Sequence, residues 1–340
     1  MPIRRPLTRL TLLLVLALPV LGARPAKAPP APPASLLEGL ELFSIDTPHS
    51  EVGFTVPWMG ISRVHGTFQE FLGTIGFDTR DLTRSSVLVI IHTKSIDTNF
   101  ERRDKDLKGA DFFDVERFPT IEFESREIVR SGSGFLLRGP LTIRGVTKEI
   151  EIPFTFNGRI KDAGADDRIG FEGRLSLKRK DYGVTGPPRM NVLLEKGIII
   201  GEDVEIPIAI EGWRAAPRDT MRDPVADSLY RAVLARGVPA VAAPFRALRA
   251  HTPDSLLEVD EGTINAVGYQ LLSRDRASEA AEIFRLEIES WPANAFGYVG
   301  LGQSYAVLGN RELAIATLEK AVAITPEVPR ARVLLHRLKG

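Results

Sequence analysis

The sequence of 340 residues predicts a two-domain protein, with an all-β antiparallel barrel of eight strands followed by an all-α region of helical repeats. Two changes of period carry this prediction. Between about residues 41 and 213, apolar residues alternate with polar ones, as in a strand with one buried face. After Trp213 they recur every three or four positions, as in an α-helix with one buried face.

The N-terminus has the pattern of a secretory signal peptide. Arg4, Arg5 and Arg9 precede an uncharged apolar run from Leu10 to Leu21, and small residues follow it. The run is too short to cross the ~30 Å hydrocarbon core as a helix, so a retained membrane anchor is the less favoured alternative. Cleavage is expected after Ala23, with cleavage after Ala28 as the alternative, and either would leave no stable membrane span. We therefore expect an exported protein, periplasmic or extracellular, whose residues 24–40 form a Pro/Ala-rich linker.

Residues 41–213 contain about eight strand-like segments separated by turn-forming residues. In the first clear one, Val52, Phe54 and Val56 alternate with small or polar residues. Residues 100–110 predict one short helix, and Arg144-Gly145 predicts a tight hairpin turn. Closing eight antiparallel strands into a barrel leaves no exposed edges. Such a barrel encloses either packed side chains or one small ligand, and the pattern alone leaves both open.

The composition of residues 214–224 predicts a polar linker. Residues 225–340 contain an internal repeat. Pro292 and Pro326 lie 34 residues apart, and the apolar and small positions before each proline agree in order. The pattern resembles the tetratricopeptide repeat, with a third, degenerate copy before these two. Repeats of this type present a concave surface to other proteins, so we expect an unidentified protein partner here. Because the linker is polar and the two periods are unrelated, each half is expected to fold alone.

Composition excludes several functional classes. Lysine plus arginine balances aspartate plus glutamate at 44 each, which gives no overall charge for nucleic-acid binding. The absence of cysteine excludes disulfides and thiolate metal sites. His49 and His92 lack a nucleophile elbow or a metal-binding motif nearby, so structural hydrogen bonding is the favoured reading of both. We expect a non-enzymatic protein with no catalytic residues, no metal and no cofactor.

Several blocks within residues 43–211 resemble the YceI-like family of lipocalin-like barrels, which bind polyisoprenoids and related amphiphiles. They include FSIDTPHSEVGFTV, SRVHGTFQEFLGTI and SIDTNFERRDKDLKGADFFDVERFPTIEFES, in the order in which the family has them. The resemblance implies an apolar lumen that holds one lipid tail, and it implies no catalysis. Family members often carry histidine where this chain has Trp58 and Asp106, so the ligand's headgroup is less well indicated than its tail.

The expected function is therefore an exported, non-enzymatic carrier of a polyisoprenoid or similar long-chain amphiphile, and the alternative is an envelope scaffold with a packed barrel. A solvated helix face, rather than a headgroup site, is predicted for Arg102, Arg103 and Lys105. The lumen residues expected to contact the ligand are apolar, with an ordinary barrel core as the alternative reading: Val52, Phe54, Val56, Trp58, Phe68, Phe71, Phe112, Phe113 and Phe123.

Overall fold

The computed structural model describes residues 34–194, 197–215, 221–251 and 259–340. The expected signal peptide and most of the Pro/Ala-rich linker lie outside these residues. The strands described are β1 (Leu40–Ile45), β2 (Glu51–Trp58), β3 (Ser62–Phe68), β4 (Phe71–Asp78), β5 (Ser86–His92), β6 (Ile96–Asp97), β7 (Thr120–Glu124), β8 (Glu127–Ser131), β9 (Gly134–Ile143), β10 (Val146–Lys161), β11 (Asp167–Lys178), β12 (Leu193–Leu194), β13 (Gly197–Ile198) and β14 (Asp203–Arg214). The helices described are α1 (Glu101–Lys108), α2 (Pro224–Arg236), α3 (Pro239–His251), α4 (Glu261–Leu272), α5 (Ala277–Ser290), α6 (Ala295–Val307), α7 (Arg311–Ile324) and α8 (Pro329–Lys339).

The main sheet closes into an antiparallel barrel with eight strand positions. Around the ring these are β1/β2, β3/β4, β5/β6, β7, β9, β10, β11 and β14, and both β1 and β2 pair with β14. Each of the first three positions is shared by two short strands, because non-strand residues interrupt the strand sequence between them. Strand β8 pairs only with β9 and is not part of the ring. The eight-stranded barrel that the sequence predicts is confirmed.

Local sequence explains the connections. Arg144 and Gly145 both have positive φ and join Ile143 directly to its partner Val146, which is the predicted two-residue turn. The predicted short helix is α1, which follows β6 and begins at Glu101. Neighbouring strands are therefore joined mostly by short connections, and α1 lies in the long connection between β6 and β7.

The C-terminal region consists of helical hairpins. Glu261, which begins α4, and Ala295, which begins α6, are 34 residues apart, as are Ala277 and Arg311 at the starts of α5 and α7. The helices thus recur with the period read from the sequence, although assignment to the tetratricopeptide type stays a prediction. Within the part of the chain that the structure covers, no helix has the length and apolarity needed to cross a membrane.

The last helix packs directly on the barrel wall. Leu42, Leu88 and Ile90, on outer faces of β1 and β5, share one buried cluster with Val333 and Leu334 of α8. The sequence misses this interface, because a polar linker and a change of period do not reveal what two regions bury between them.

Three ion pairs flank the apolar contact. Arg332 of α8 pairs with Glu122 at 3.0 Å and with Glu124 at 2.5 Å, and Arg337 pairs with the buried Asp78 at 3.1 Å. The expectation that each half folds alone is therefore not supported by the packing: an isolated barrel would expose the buried side chains of β1 and β5 to water.

Candidate ligand-binding cavity

The barrel encloses an elongated apolar cavity of about 950 Å³. This volume lies at the upper end of the range typical for sites that hold small organic molecules. Aliphatic and aromatic side chains from all eight strand positions line it, and polar lining groups are few. Of the two readings that the sequence left open, the enclosed space favours a ligand over a packed core.

Eight of the nine residues expected in the lumen line this cavity: Val52, Phe54, Val56, Trp58, Phe68, Phe112, Phe113 and Phe123. Aromatic contacts order part of this wall, since Phe68 packs on Phe54 and edge-on against Phe113, with ring centroids 5.9 and 5.7 Å apart. Contact between these side chains and a ligand stays a prediction.

Phe71 is the exception. It is buried in the same hydrophobic cluster as the lumen residues but does not line the cavity. Phe71 lies on the same face of β4 as Ile75, which lines the cavity, but Phe71 is only 5% exposed and packs within this cluster. Phe71 therefore belongs to the packed core rather than to the cavity wall, and its contact with a ligand stays a prediction.

One complete strand of lining residues is absent from the set predicted from the sequence. Val204, Ile206, Ile208 and Ile210 of β14 all face the cavity. Their alternation in DVEIPIAIEG is as regular as that of β2, so the signal was present. It was missed because alternation identifies an inner face without showing whether that face bounds packed side chains or open space.

The two ends of the cavity differ in exposure. At one end the lining residues Leu82, Ser85, Ser86 and Ile128 are buried or half-buried beneath a short 3₁₀ turn and β8. At the other end the lining residues Ser62, Phe100, Arg102 and Arg189 are exposed, so the cavity opens to solvent there. We call this open end the mouth; it is formed by the β2–β3 hairpin, α1 and the described residues of the segment 184–201, which are 184–194 and 197–201.

Arg179 fastens the segment 184–201 to the barrel. All five of its N–H groups are used: Nε donates to the carbonyl of Gly201 at 2.8 Å, and the other four donate to backbone carbonyls of this segment and to Asn191. The side chain is buried, and burial lowers the pKa of Arg179. A basic run such as KRKDYG normally indicates surface charge, but backbone carbonyls solvate the Arg179 guanidinium inside the fold.

The mouth also carries charge. Arg102, Arg103 and Arg189 line the cavity together with Asp106, which is exposed. Arg102 and Arg103 therefore lie at the cavity opening, whereas Lys105 does not line it. Arg102 and Lys105 are also exposed, as expected for a solvated helix face. Trp58 and Asp106, the two positions that the sequence analysis singles out, both lie in this mouth.

His49 behaves as the sequence predicts, because its Nδ1 lies 3.1 Å from an Asp46 carboxylate oxygen. Asp46, His49 and Glu211 also lie close enough together to hold a metal ion. Arg168, however, donates to both carboxylates, 2.5 Å from Glu211 and closer still to Asp46. The guanidinium already neutralises this group, so we assign no metal to it.

Comparisons with known proteins agree with this architecture. The model of the YceI-like domain matches residues 43–212. A UPF0312 protein of Serratia proteamaculans is 36% identical over 170 residues, which are 49% of this chain and 82% of that protein. Another from Yersinia pestis is 34% identical over 167 residues, covering 48% of this chain and 81% of that protein.

Two solved structures are also similar to the barrel. BcnA of Burkholderia cenocepacia is 23% identical, with a TM-score of 0.44, over 49% of this chain and 98% of that chain. A polyisoprenoid binding domain from Saccharophagus degradans is 16% identical, with a TM-score of 0.38, over 52% of this chain and 99% of that chain.

The family match covers half of this chain, and the alignment with the Serratia protein covers most of that relative at well over 30% identity. This protein therefore belongs to the YceI-like family.

Proposed function

We propose that this protein is a non-enzymatic carrier that holds one long-chain amphiphile, of the polyisoprenoid type, in the barrel cavity. The observation that carries the proposal is the elongated apolar cavity with one closed end and one open end. A chain-like ligand would place its tail toward the closed end, leaving its polar end at the mouth.

The energetics support a hydrocarbon tail. Each methylene removed from water contributes about 0.8 kcal/mol, so a tail of ten carbons would gain roughly 8 kcal/mol before the cost of ordering it. The cavity wall offers such a tail apolar contact along β2, β5, β11 and β14. The polar groups that line the cavity lie mainly at its two ends, so the middle favours hydrocarbon over a polar ligand.

Export and protein contacts belong to the same proposal. The basic and apolar N-terminal pattern supports export to the periplasm or beyond. The helical hairpins of period 34 support a role for the C-terminal region in binding another protein.

The test compares two neighbouring residues of β14. Ile208 faces the cavity, whereas Ala209 is exposed on the outer face. We expect Ile208→Asp to lower the amount of amphiphile extracted from the purified full-length protein at least tenfold, because a carboxylate opposes an apolar tail. Ala209→Asp should leave that amount unchanged.

Circular dichroism and thermal unfolding identify variants that have lost the fold, and Ile208→Phe, which fills space without charge, replaces Ile208→Asp if the latter unfolds. Mass spectrometry of the organic extract identifies the ligand. A folded Ile208 variant that keeps its full amount of amphiphile would contradict the proposal.

A further inference from the structure

The barrel mouth is surrounded by exposed apolar side chains. Among its described residues the barrel exposes eight large apolar side chains, and five of them lie here: Met59 (38% exposed), Ile61 (69%), Phe100 (55%), Val192 (50%) and Leu193 (80%). We call these five the apolar rim. Two others, Ile160 and Trp213, lie at the opposite end of β10 and β14.

Hydrogen bonds bring the rim residues together from three parts of the chain. The Met59 N–H donates to the Ile199 carbonyl at 2.8 Å, and Ile199 in turn donates to Val192 at 3.2 Å. Trp58 also forms a β-bridge with Ile200. The tip of the β2–β3 hairpin therefore lies beside the described residues of the β12–β13 hairpin, at the mouth end.

Phe100 joins the rim from the third segment. Residues 96–97 pair antiparallel with the end of β3, so the chain after them runs back toward the β2–β3 tip, and Phe100 lines the same cavity as Trp58 and Ser62. The Arg103 guanidinium stacks over the Phe100 ring at 5.6 Å. An aromatic ring and a cation thus lie next to each other at the opening.

Charged groups of both signs lie around the rim, with a small excess of cationic side chains. Arg102 and Arg189 are exposed and have no ion-pair partner in the described parts of the chain, whereas Arg63 pairs with Glu205 at 2.9 Å. Of the acidic groups on α1, the Asp104 carboxylate accepts hydrogen bonds from Thr98, which leaves Glu101 and Asp106. Arg102 and Arg189 therefore remain available to an anionic surface.

From this arrangement we propose that the mouth docks on the surface of an anionic lipid bilayer. The apolar side chains come from separate segments at the mouth and have arginines beside them. This arrangement suits insertion at the boundary between lipid headgroups and acyl chains better than binding in a protein groove. The rim is continuous with the cavity, since Phe100 belongs to the rim and also lines the cavity. The contacts that attach the helical region involve β1, β4, β5 and β7, so they leave the rim uncovered.

Docking is a different property from carriage and has its own readout. The full-length protein is sedimented with vesicles of phosphatidylcholine alone, or of phosphatidylcholine mixed with phosphatidylglycerol. We expect tighter binding to the mixed vesicles, weakening as salt is raised. The variants Arg102→Gln and Arg189→Gln should each weaken that binding about fivefold, whereas Arg130→Gln, at the far end of the barrel, should not.

The contribution of the apolar rim to vesicle binding can be tested with a matched pair of isoleucines. Ile61 and Ile160 are almost equally exposed, at 69% and 66%, but lie at opposite ends of the barrel. Ile61→Asp should weaken binding to both kinds of vesicle at least tenfold, and Ile160→Asp should leave it unchanged. Neither side chain is buried, so both variants are expected to fold, and their extracted amphiphile should match the wild type.

Three outcomes overturn the docking proposal: no sedimentation with either vesicle, equal loss from Ile61→Asp and Ile160→Asp, or loss of vesicle binding only in variants that have also lost their amphiphile. An Ile61→Asp variant that binds vesicles normally but loses contact with another protein would instead assign the rim to a protein partner.

Discussion

Glu287 is a fully buried carboxyl group in α5, and its replacement by glutamine tests how the helical region is stabilised. Its Oε1 accepts hydrogen bonds from the Nδ2 groups of Asn265 and Asn294, each at 3.2 Å. Burial raises the pKa of Glu287 to about 8, the bonds from Asn265 oppose this, and the nearby Glu261 carboxylate adds to it. The folded protein therefore keeps a proton on Glu287 at neutral pH.

The sign and size of the effect follow from linkage. In the unfolded chain a glutamate loses its proton near pH ~4.3. Between that pH and about 8, the folded state binds one proton more than the unfolded state, so the stability falls as the pH rises, by about 1.4 kcal/mol per pH unit. From ~pH 5 to ~pH 7.5 the loss amounts to roughly 3 kcal/mol.

We expect Glu287→Gln to remove this dependence, because glutamine is uncharged and its Oε1 can accept the same two asparagine bonds. The variant should be more stable than the wild type above pH ~7 and close to it at pH ~5. The measurement is urea unfolding of the full-length protein across this pH range, followed by helical circular dichroism.

Glu282→Gln is the control, because Glu282 is an exposed carboxylate on the same helix. This variant should follow the wild-type pH profile. If Glu287→Gln is less stable than the wild type throughout the range, or keeps the wild-type slope, the reasoning about the buried proton is refuted.

Three further substitutions test other parts of the fold. A Cβ at Gly76 would lie 2.8 Å from Val333 of α8, so Gly76→Val should destabilise the protein by about 1–3 kcal/mol in thermal unfolding; Gly170→Val, whose Cβ would have no contact closer than 3.6 Å, should not. Arg179→Met should lower stability by at least ~3 kcal/mol and open the segment 184–201 to limited proteolysis, because five hydrogen bonds are lost; unchanged cleavage would contradict this. For Asp167, burial raises the pKa, but bonds from two arginines outweigh it and lower that pKa overall. Asp167→Asn should thus cost about 1–3 kcal/mol at neutral pH, and this deficit should disappear as the pH falls below ~4; a deficit that persists in acid would exclude the charge as its cause.

The barrel could be predicted from the sequence because strand period and turn chemistry are local properties. Val52, Phe54 and Val56 show the inner face of β2 directly, and Arg144-Gly145 identifies the turn of the β9–β10 hairpin without any tertiary information. The size of the cavity could not be predicted in the same way. It depends on how far eight inner faces stand apart, which no single strand encodes.

The sequence of β5 indicates that its outer face is covered, although it does not identify the helix that covers it. In β5, Val87 and Val89 line the cavity, while Leu88 and Ile90 lie under α8. A strand that is apolar at every position must be covered on both faces, and SVLVIIH has this character. The sequence could therefore have predicted an outer cover for β5, although not that α8 supplies it.

Arg179 shows a different limit of sequence reasoning. A basic residue beside other basic residues is normally exposed, and only the folded backbone reveals the carbonyls that surround this one. The apolar rim is similar, since its five residues come from three segments whose proximity depends on barrel closure.

The most direct test of the central claim is native mass spectrometry of the full-length protein purified from cells without added lipid. We expect one non-covalent adduct per chain that is released on activation, and whose fragments are spaced by one isoprene unit. If the protein is detected only at the mass of its unmodified chain, both as purified and after incubation with a polyisoprenoid, this would contradict the claim that the cavity holds such a ligand.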